Sequence, residues 1–162
     1  MRKFLAVILL VNVPLHAWGP VGHSLVARIA DEQLTAAARA QVAVILGPGR
    51  TMSSVASWAD EVRGERCQTA PWHFIDIQIT DPHLDMARDC PNNDCVLAKI
   101  PDLRKTLQDP AAAPVERSEA LMFLIHLVGD MHQPLHCADN HDRDGNQVPV
   151  QLADRTTNLH SI

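Results

Sequence analysis

Apolar residues crowd most densely between Glu119 and His136, in EALMFLIHLVGDMHQPLH. Leu121, Met122, Phe123, Leu124, Ile125, Leu127 and Val128 cover nearly every side of a 3.6-residue period, the pattern of a buried helix. The spacing predicts that helix over residues 116–131. His126 and Asp130 stand inside the apolar run at i, i+4, so both side chains leave one face. A buried carboxylate beside a buried imidazole is costly unless the two are paired or hold a cation. Pro134 breaks the helix, and His136 follows two residues later. Two histidines and an aspartate thus come together from one core helix and its following turn. They read either as metal ligands or as a self-satisfied ion pair of His126 with Asp130.

The same periodicity predicts helices over residues 23–34, 35–46, 53–63 and 96–107, the second closed by Gly47-Pro48-Gly49. In SSVASWADEVR, Val55, Trp58, Ala59 and Val62 face inward, and Asp60 lies on or beside that face. Asp60 by itself reads as an exposed carboxylate, with Arg63 close enough for an ion pair. Residues 71–79, PWHFIDIQI, are β-branched and aromatic with partial alternation, and are expected to be extended. His73 in that segment reads by itself as a satisfied core group. Residues 81–94 and 139–146 read as polar loops, 111–114 as a linker, 148–152 as a short strand, and 156–160 as the start of one more helix. Helices predominate and strand is scarce, so the expected class is mainly α.

Composition narrows the chemistry. A chain of 162 residues with 46% hydrophobic content suits one domain with a sizeable core. The net charge of −5 and the lack of a basic run exclude nucleic-acid binding by protein charge alone. Any phosphate handled here needs bound cations to supply the positive field. Nine histidines are an ample ligand supply.

Arg2 and Lys3, the apolar stretch Phe4 to Val13 and the Pro14–Ala17 region have the layout of a signal peptide, expected to be removed after Ala17. The apolar run is too short for a membrane span. Removal leaves 12 basic against 19 acidic side chains, and a free α-amine on Trp18. The protein is expected to be secreted or periplasmic, with no membrane anchor. Four cysteines fit an oxidising compartment. Cys90 and Cys95 flank a short turn and are the expected disulfide, whereas Cys67 and Cys137 pair with each other or with something else. A cysteine zinc site is disfavoured, because there is no CxxC pair.

Six short segments then occur in order: WGPVGH at 18–23, SWADEVR at 57–63, WHFID at 72–76, FLIHLVGDMHQPLH at 123–136, DGN at 144–146 and TTNLH at 156–160. Through them the chain resembles the exported, zinc-dependent, single-strand-specific nucleases of fungi and plants, a family related to bacterial zinc phospholipase C. The resemblance implies a phospholipase C/nuclease-type helical domain over residues 18–162 with three zinc ions in a cleft. One zinc falls to Asp60, His73, His126 and Asp130. A second falls to His136 and His160. The third falls to the amine and carbonyl of Trp18, with His23 and a shared oxygen of Asp130. Imidazole and carboxylate ligands suit zinc. An α-amine, with an ordinary pKa of about 8, gives up its proton to zinc at modest cost.

The family chemistry implied is hydrolysis of phosphodiesters in single-stranded DNA and RNA to 5′-phosphorylated products, or of 3′-nucleotides, by a chain expected to be monomeric. Arg63 matches a phosphoryl-stabilising arginine, with a plain salt bridge to Asp60 or Glu61 as its alternative. Phe74 and Asp76 match base-binding positions, Asn158 a phosphate contact, and His132 a supporting role. The family pattern continues with a carboxylate ligand beyond Ile162, so the resemblance marks this chain as truncated. The alternatives are a zinc phospholipase C-like phosphodiesterase and an inactive metal-binding fragment.

Overall fold

The computed structural model describes residues 18–162; the expected signal segment and its cleavage region lie outside the described residues. Seven α-helices and one two-stranded hairpin are present among these residues. The longest helix is α7, Pro114–Asp130, and the others gather round it. Pro114 occupies its first turn, where no amide proton is needed, and the Glu116 carboxylate closes that turn by accepting from the Ala113 amide at 3.0 Å.

Helix α7 is buried on two sides. Leu121, Met122 and Ile125 pack with Ala27 of α1 (Pro20–Gln33), Leu46 of α2 (Ala36–Leu46) and Val55 of α3 (Met52–Val55). On the other side Leu127 packs with Ile75, the Cys90–Cys95 disulfide and Val96 at the start of α6 (Val96–Gln108). Phe123 joins the two cores, its ring 5.2 Å from Trp58 and 5.1 Å from Trp72. Both disulfide cysteines are buried, as the spacing of the pair suggested, while Cys67 and Cys137 are free.

Four local expectations need correction. The predicted helix over 53–63 is two short helices, α3 and α4 (Trp58–Val62), because Ser57 takes φ −101° and ψ 2°. The extended segment begins only at Phe74; Cys67–His73 before it is a 3₁₀ stretch, a backbone that suits the fixed φ of Pro71. The loop over 81–94 contains one helical turn, α5 (Met86–Asp89), because the Asp85 side chain caps it by accepting from the Ala87 and Arg88 amides. Residues 156–160 do not begin a helix. Arg155–Asn158 is strand β2, paired antiparallel with β1 (Pro149–Leu152) about a tight turn with Ala153 at φ +53°. The β-branched Thr156 and Thr157 favour the ladder over a helix. Only Leu159–Ser161 turns, as 3₁₀. No helix among the described residues is long and apolar enough to cross a membrane.

Candidate metal centre

The last turn of α7 delivers His126 and Asp130 to one point, and both are buried. The turn after α7 is tightly stitched. Gln133, itself buried, turns its side-chain oxygen to the Leu135 amide and so caps the 3₁₀ turn Pro134–His136. The His136 carbonyl then accepts from the Ile75 amide at 2.8 Å, tying this turn to the extended segment after His73. His23 comes from α1 and Asp60 from α4.

These elements surround one carboxylate with four imidazoles. Asp130 Oδ2 lies 2.9 Å from His73 Nδ1 and 3.2 Å from His126 Nε2. Asp130 Oδ1 lies 3.1 Å from His136 Nδ1 and 3.5 Å from His23 Nε2. Asp60 Oδ1 sits 3.7 Å from His126 Nε2 and 3.9 Å from His73 Nδ1. The Asp130 oxygens therefore face two different sets of nitrogens. His126 Nδ1 donates to the Ala56 carbonyl at 2.7 Å, which orients the ring so that Nε2 faces the carboxylates. The break between α3 and α4 is what presents that carbonyl. His126 Nε2 and His73 Nδ1 approach to 3.1 Å, and the His23 ring stacks on His126 at 3.9 Å. His160 stacks on His136 at 5.0 Å and donates through Nδ1 to the Asp144 carbonyl at 2.7 Å.

The electrostatics derive from this crowding. Burial, then the neighbouring His126, drives the His23 pKa down to about 4, so its ring is neutral at neutral pH. Burial works against the charged form of Asp130, but hydrogen bonds from His126, His136 and His73 overcome it and hold the carboxyl far below its usual range. Burial also opposes a charged His126, yet its hydrogen bond to Asp130 and the nearby carboxylates leave its pKa raised. His160 is lowered, mainly by burial.

Two buried ring nitrogens, His23 Nδ1 and His73 Nε2, have no hydrogen-bond partner. Buried polar atoms are rarely left unmatched. One donor atom each from His23, His126 and Asp130 lies within 4.8 Å of the others, as does one each from Asp60, His73 and His126. Imidazole and carboxylate atoms converging without thiolate are a donor set that zinc accepts. The residues present therefore fit that ion.

The centre forms one side of a cleft of about 850 Å³. Trp18, His23, Asp60, His73, Asp130, His136 and His160 line it, and His126 stands behind them, fully buried. Arg63, Phe74 and Asp76 line the cleft too. Among the described residues Arg63 forms no ion pair with Asp60 or Glu61. Its charge is instead felt at His160, whose protonated form it disfavours. Asn158 is not in the lining; it ends β2 and accepts from the Ser161 hydroxyl at 2.9 Å. His132 is exposed and donates to the Val128 carbonyl at 2.7 Å.

Asp144 of the DGN segment also lines the cleft, together with Asp139, His141 and Arg143, which the sequence did not single out. They sit in the polar loop, and the only available signal was its position directly after His136. Burial, followed by the charge of the neighbouring Asp76, pushes the Asp144 carboxyl up to about 7. Asp76 is likewise raised, chiefly by burial.

The chain is similar to known nucleases. The S1/P1 Nuclease family profile matches residues 18–162. The chain is 34% identical over 151 residues to Nuclease P1 of Penicillium citrinum, covering 89% of this chain and 56% of that protein. It is 35% identical over 156 residues to Nuclease S1 of Aspergillus oryzae, covering 91% and 53%. To Endonuclease 2 of Arabidopsis thaliana it is 32% identical over 175 residues, covering 100% and 60%. The chain thus spans little more than half the length of the curated relatives it matches.

Proposed function

The chain belongs to the S1/P1 nuclease family, and from that premise we propose that it is a zinc-dependent endonuclease and 3′-nucleotidase. In this reading it hydrolyses phosphodiesters of single-stranded DNA and RNA to 5′-phosphorylated products. The observation that carries the reading is Asp130: a carboxylate 1% exposed, with four imidazole nitrogens at 2.9–3.5 Å, beside an open cleft.

Asp60, His73, His126 and Asp130 would hold one zinc, and His136 with His160 a second. His23, Asp130 and the Trp18 amine and carbonyl would hold a third, once residues 1–17 are removed. Asp130 is suited to bridging, since its two oxygens face different nitrogens. Bound zinc supplies positive field for the phosphate and lowers the pKa of water toward about 7.

The chain's own residues do the rest. The unpaired Arg63 guanidinium offers a planar fork to phosphoryl oxygens. Phe74, half-buried in the cleft wall, offers a ring face to a base, and Asp76 beside it an acceptor for base N–H groups. A base must leave its duplex partner to reach that ring, which supports single-strand preference. Export to an oxidising compartment accords with the disulfide, and the chain is proposed to act as a monomer.

The test is zinc content by mass spectrometry together with cleavage of a single-stranded oligonucleotide and its duplex, for the wild-type chain and Asp130→Asn. Bound zinc and single-strand cleavage in the wild type, both lost in the variant, are expected. A zinc-free wild type without cleavage, or a variant as active as the wild type, overturns the reading.

A further inference from the structure

The cleft is acidic where an anionic strand has to enter. Asp60, Asp76, Asp130, Asp139 and Asp144 line it, against two arginines, Arg63 and Arg143. Arg63 comes from the end of α4, beside the ligand Asp60. Arg143 comes from a separate element, the loop after the His136 turn, and no sequence feature marked it.

That loop is built to hold its shape. The Asp139 backbone joins the extended segment, donating to the Ile77 carbonyl at 2.9 Å and accepting from the Ile79 amide at 3.0 Å. Its side chain accepts from Gln78 at 2.9 Å, and from the Asp142 and Asp144 amides at 3.2 and 3.3 Å. Asn146 clamps the Arg143 carbonyl twice, through its backbone amide at 2.9 Å and its side chain at 2.8 Å. Arg143 itself takes φ +57°, a left-handed conformation unfavourable for a non-glycine residue. A surface arginine that only keeps the protein soluble needs none of this. The loop is fixed to the same segment that carries Phe74 and Asp76, so the Arg143 backbone is registered to the wall where a base would stack. The guanidinium is exposed and, among the described residues, makes no ion pair or hydrogen bond.

Resting on the nuclease reading above, we propose that Arg143 binds a phosphate of the polynucleotide strand other than the one being cut. A fixed base of attachment with a free, charged end suits a backbone phosphate, which any sequence presents. A second phosphate contact favours a strand of several nucleotides over a single nucleotide. It also offsets Asp76, Asp139 and Asp144, the three lining carboxylates outside the metal positions, which repel the strand.

The test compares wild type, Arg143→Ala and Arg143→Lys on a single-stranded oligonucleotide and on a 3′-mononucleotide, with zinc and over a salt series. For Arg143→Ala the oligonucleotide KM should rise about tenfold, with kcat and the mononucleotide KM unchanged. Arg143→Lys should restore part of the loss. The dependence of log KM on log salt should flatten by about 0.7 for the lost single-strand contact. An equal change on both substrates, or no change on either, overturns the inference. A wild type that cuts neither substrate overturns the nuclease reading instead. Fluorescence anisotropy with oligothymidylate then decides on Arg143: weaker binding by Arg143→Ala supports it, and equal or absent binding overturns it.

Discussion

Replacing Gly129 by alanine tests the centre without touching a ligand. Gly129 lies in the last turn of α7, between His126 and Asp130. In most helices this change stabilises by about 1 kcal/mol, since alanine loses less backbone freedom. Here a Cβ at Gly129 would lie 2.7 Å from His23 Nδ1 and 3.4 Å from its Cε1. Ordinary contact begins near the second of these distances, so the imidazole must retreat by about 0.7 Å. It has little room to do so: His23 is 2% exposed and its face stacks on His126 at 3.9 Å. Overpacking of this kind costs about 1–3 kcal/mol. Set against the helix gain, the metal-free protein should lose between about 0 and 2 kcal/mol. Metal bonds are less forgiving, as ligand distances hold to within about 0.2 Å.

Gly129→Ala should therefore remain folded and lose the metal that depends on His23. Urea melts of the metal-free protein measure the first effect, and zinc per chain by mass spectrometry the second. The variant should bind one zinc fewer than wild type, matching His23→Ala. A folded Gly129→Ala chain with wild-type zinc content and wild-type cleavage would show that His23 is packing and not a ligand.

Two further predictions concern the scaffold. Arg66 holds Glu119 through two hydrogen bonds, at 2.7 and 2.8 Å, with both side chains about one-third exposed. After solvent screening, Glu119→Gln should cost about 1 kcal/mol at pH 7. Arg66 lowers the Glu119 pKa from its ordinary 4.5. The stabilisation is therefore present above that value and lost as pH falls through the depressed folded value. Urea melts of wild type and variant should converge in acid, and a gap independent of pH would contradict the ion pair. The disulfide closes a loop of a few residues in the second core, so Cys90→Ala/Cys95→Ala should cost about 2–3 kcal/mol. An unchanged urea midpoint would contradict its place in the core.

Helix α7 was legible because its signal is long and periodic, and periodicity survives whatever packs around it. The break at Ser57 was not, because no glycine or proline marks it. What the break provides, the Ala56 carbonyl facing His126, arises only in three dimensions. The strand β2 was missed for a related reason: four residues are too few for a period, and the pairing with β1 decides their conformation. Among the site residues, His126, Asp130 and His136 were marked by local spacing. Asp60 and His73 were ambiguous on their own segments, and the family resemblance marked them. Arg143 had no signal of either kind, since a polar loop residue gains meaning only from the wall it stands beside.

The most apolar helix in the chain carries its most costly polar pair, and that conflict is itself informative. An ordinary core would fill positions 126 and 130 with leucine or alanine and gain stability. Four imidazoles crowd one carboxylate: one anion cannot neutralise four cations, and in neutral rings the 3.1 Å contact of His126 Nε2 with His73 Nδ1 uses the proton of one ring and the lone pair of the other. Two ring nitrogens, His23 Nδ1 and His73 Nε2, remain unmatched in the interior. The hydrogen bonds of the centre therefore do not satisfy every ring. Multivalent cations do, accepting several nitrogen lone pairs at once while both Asp130 oxygens stay charged. The penalty built into α7 is thus of the kind that a bound metal relieves, which is what the proposed zinc sites would do.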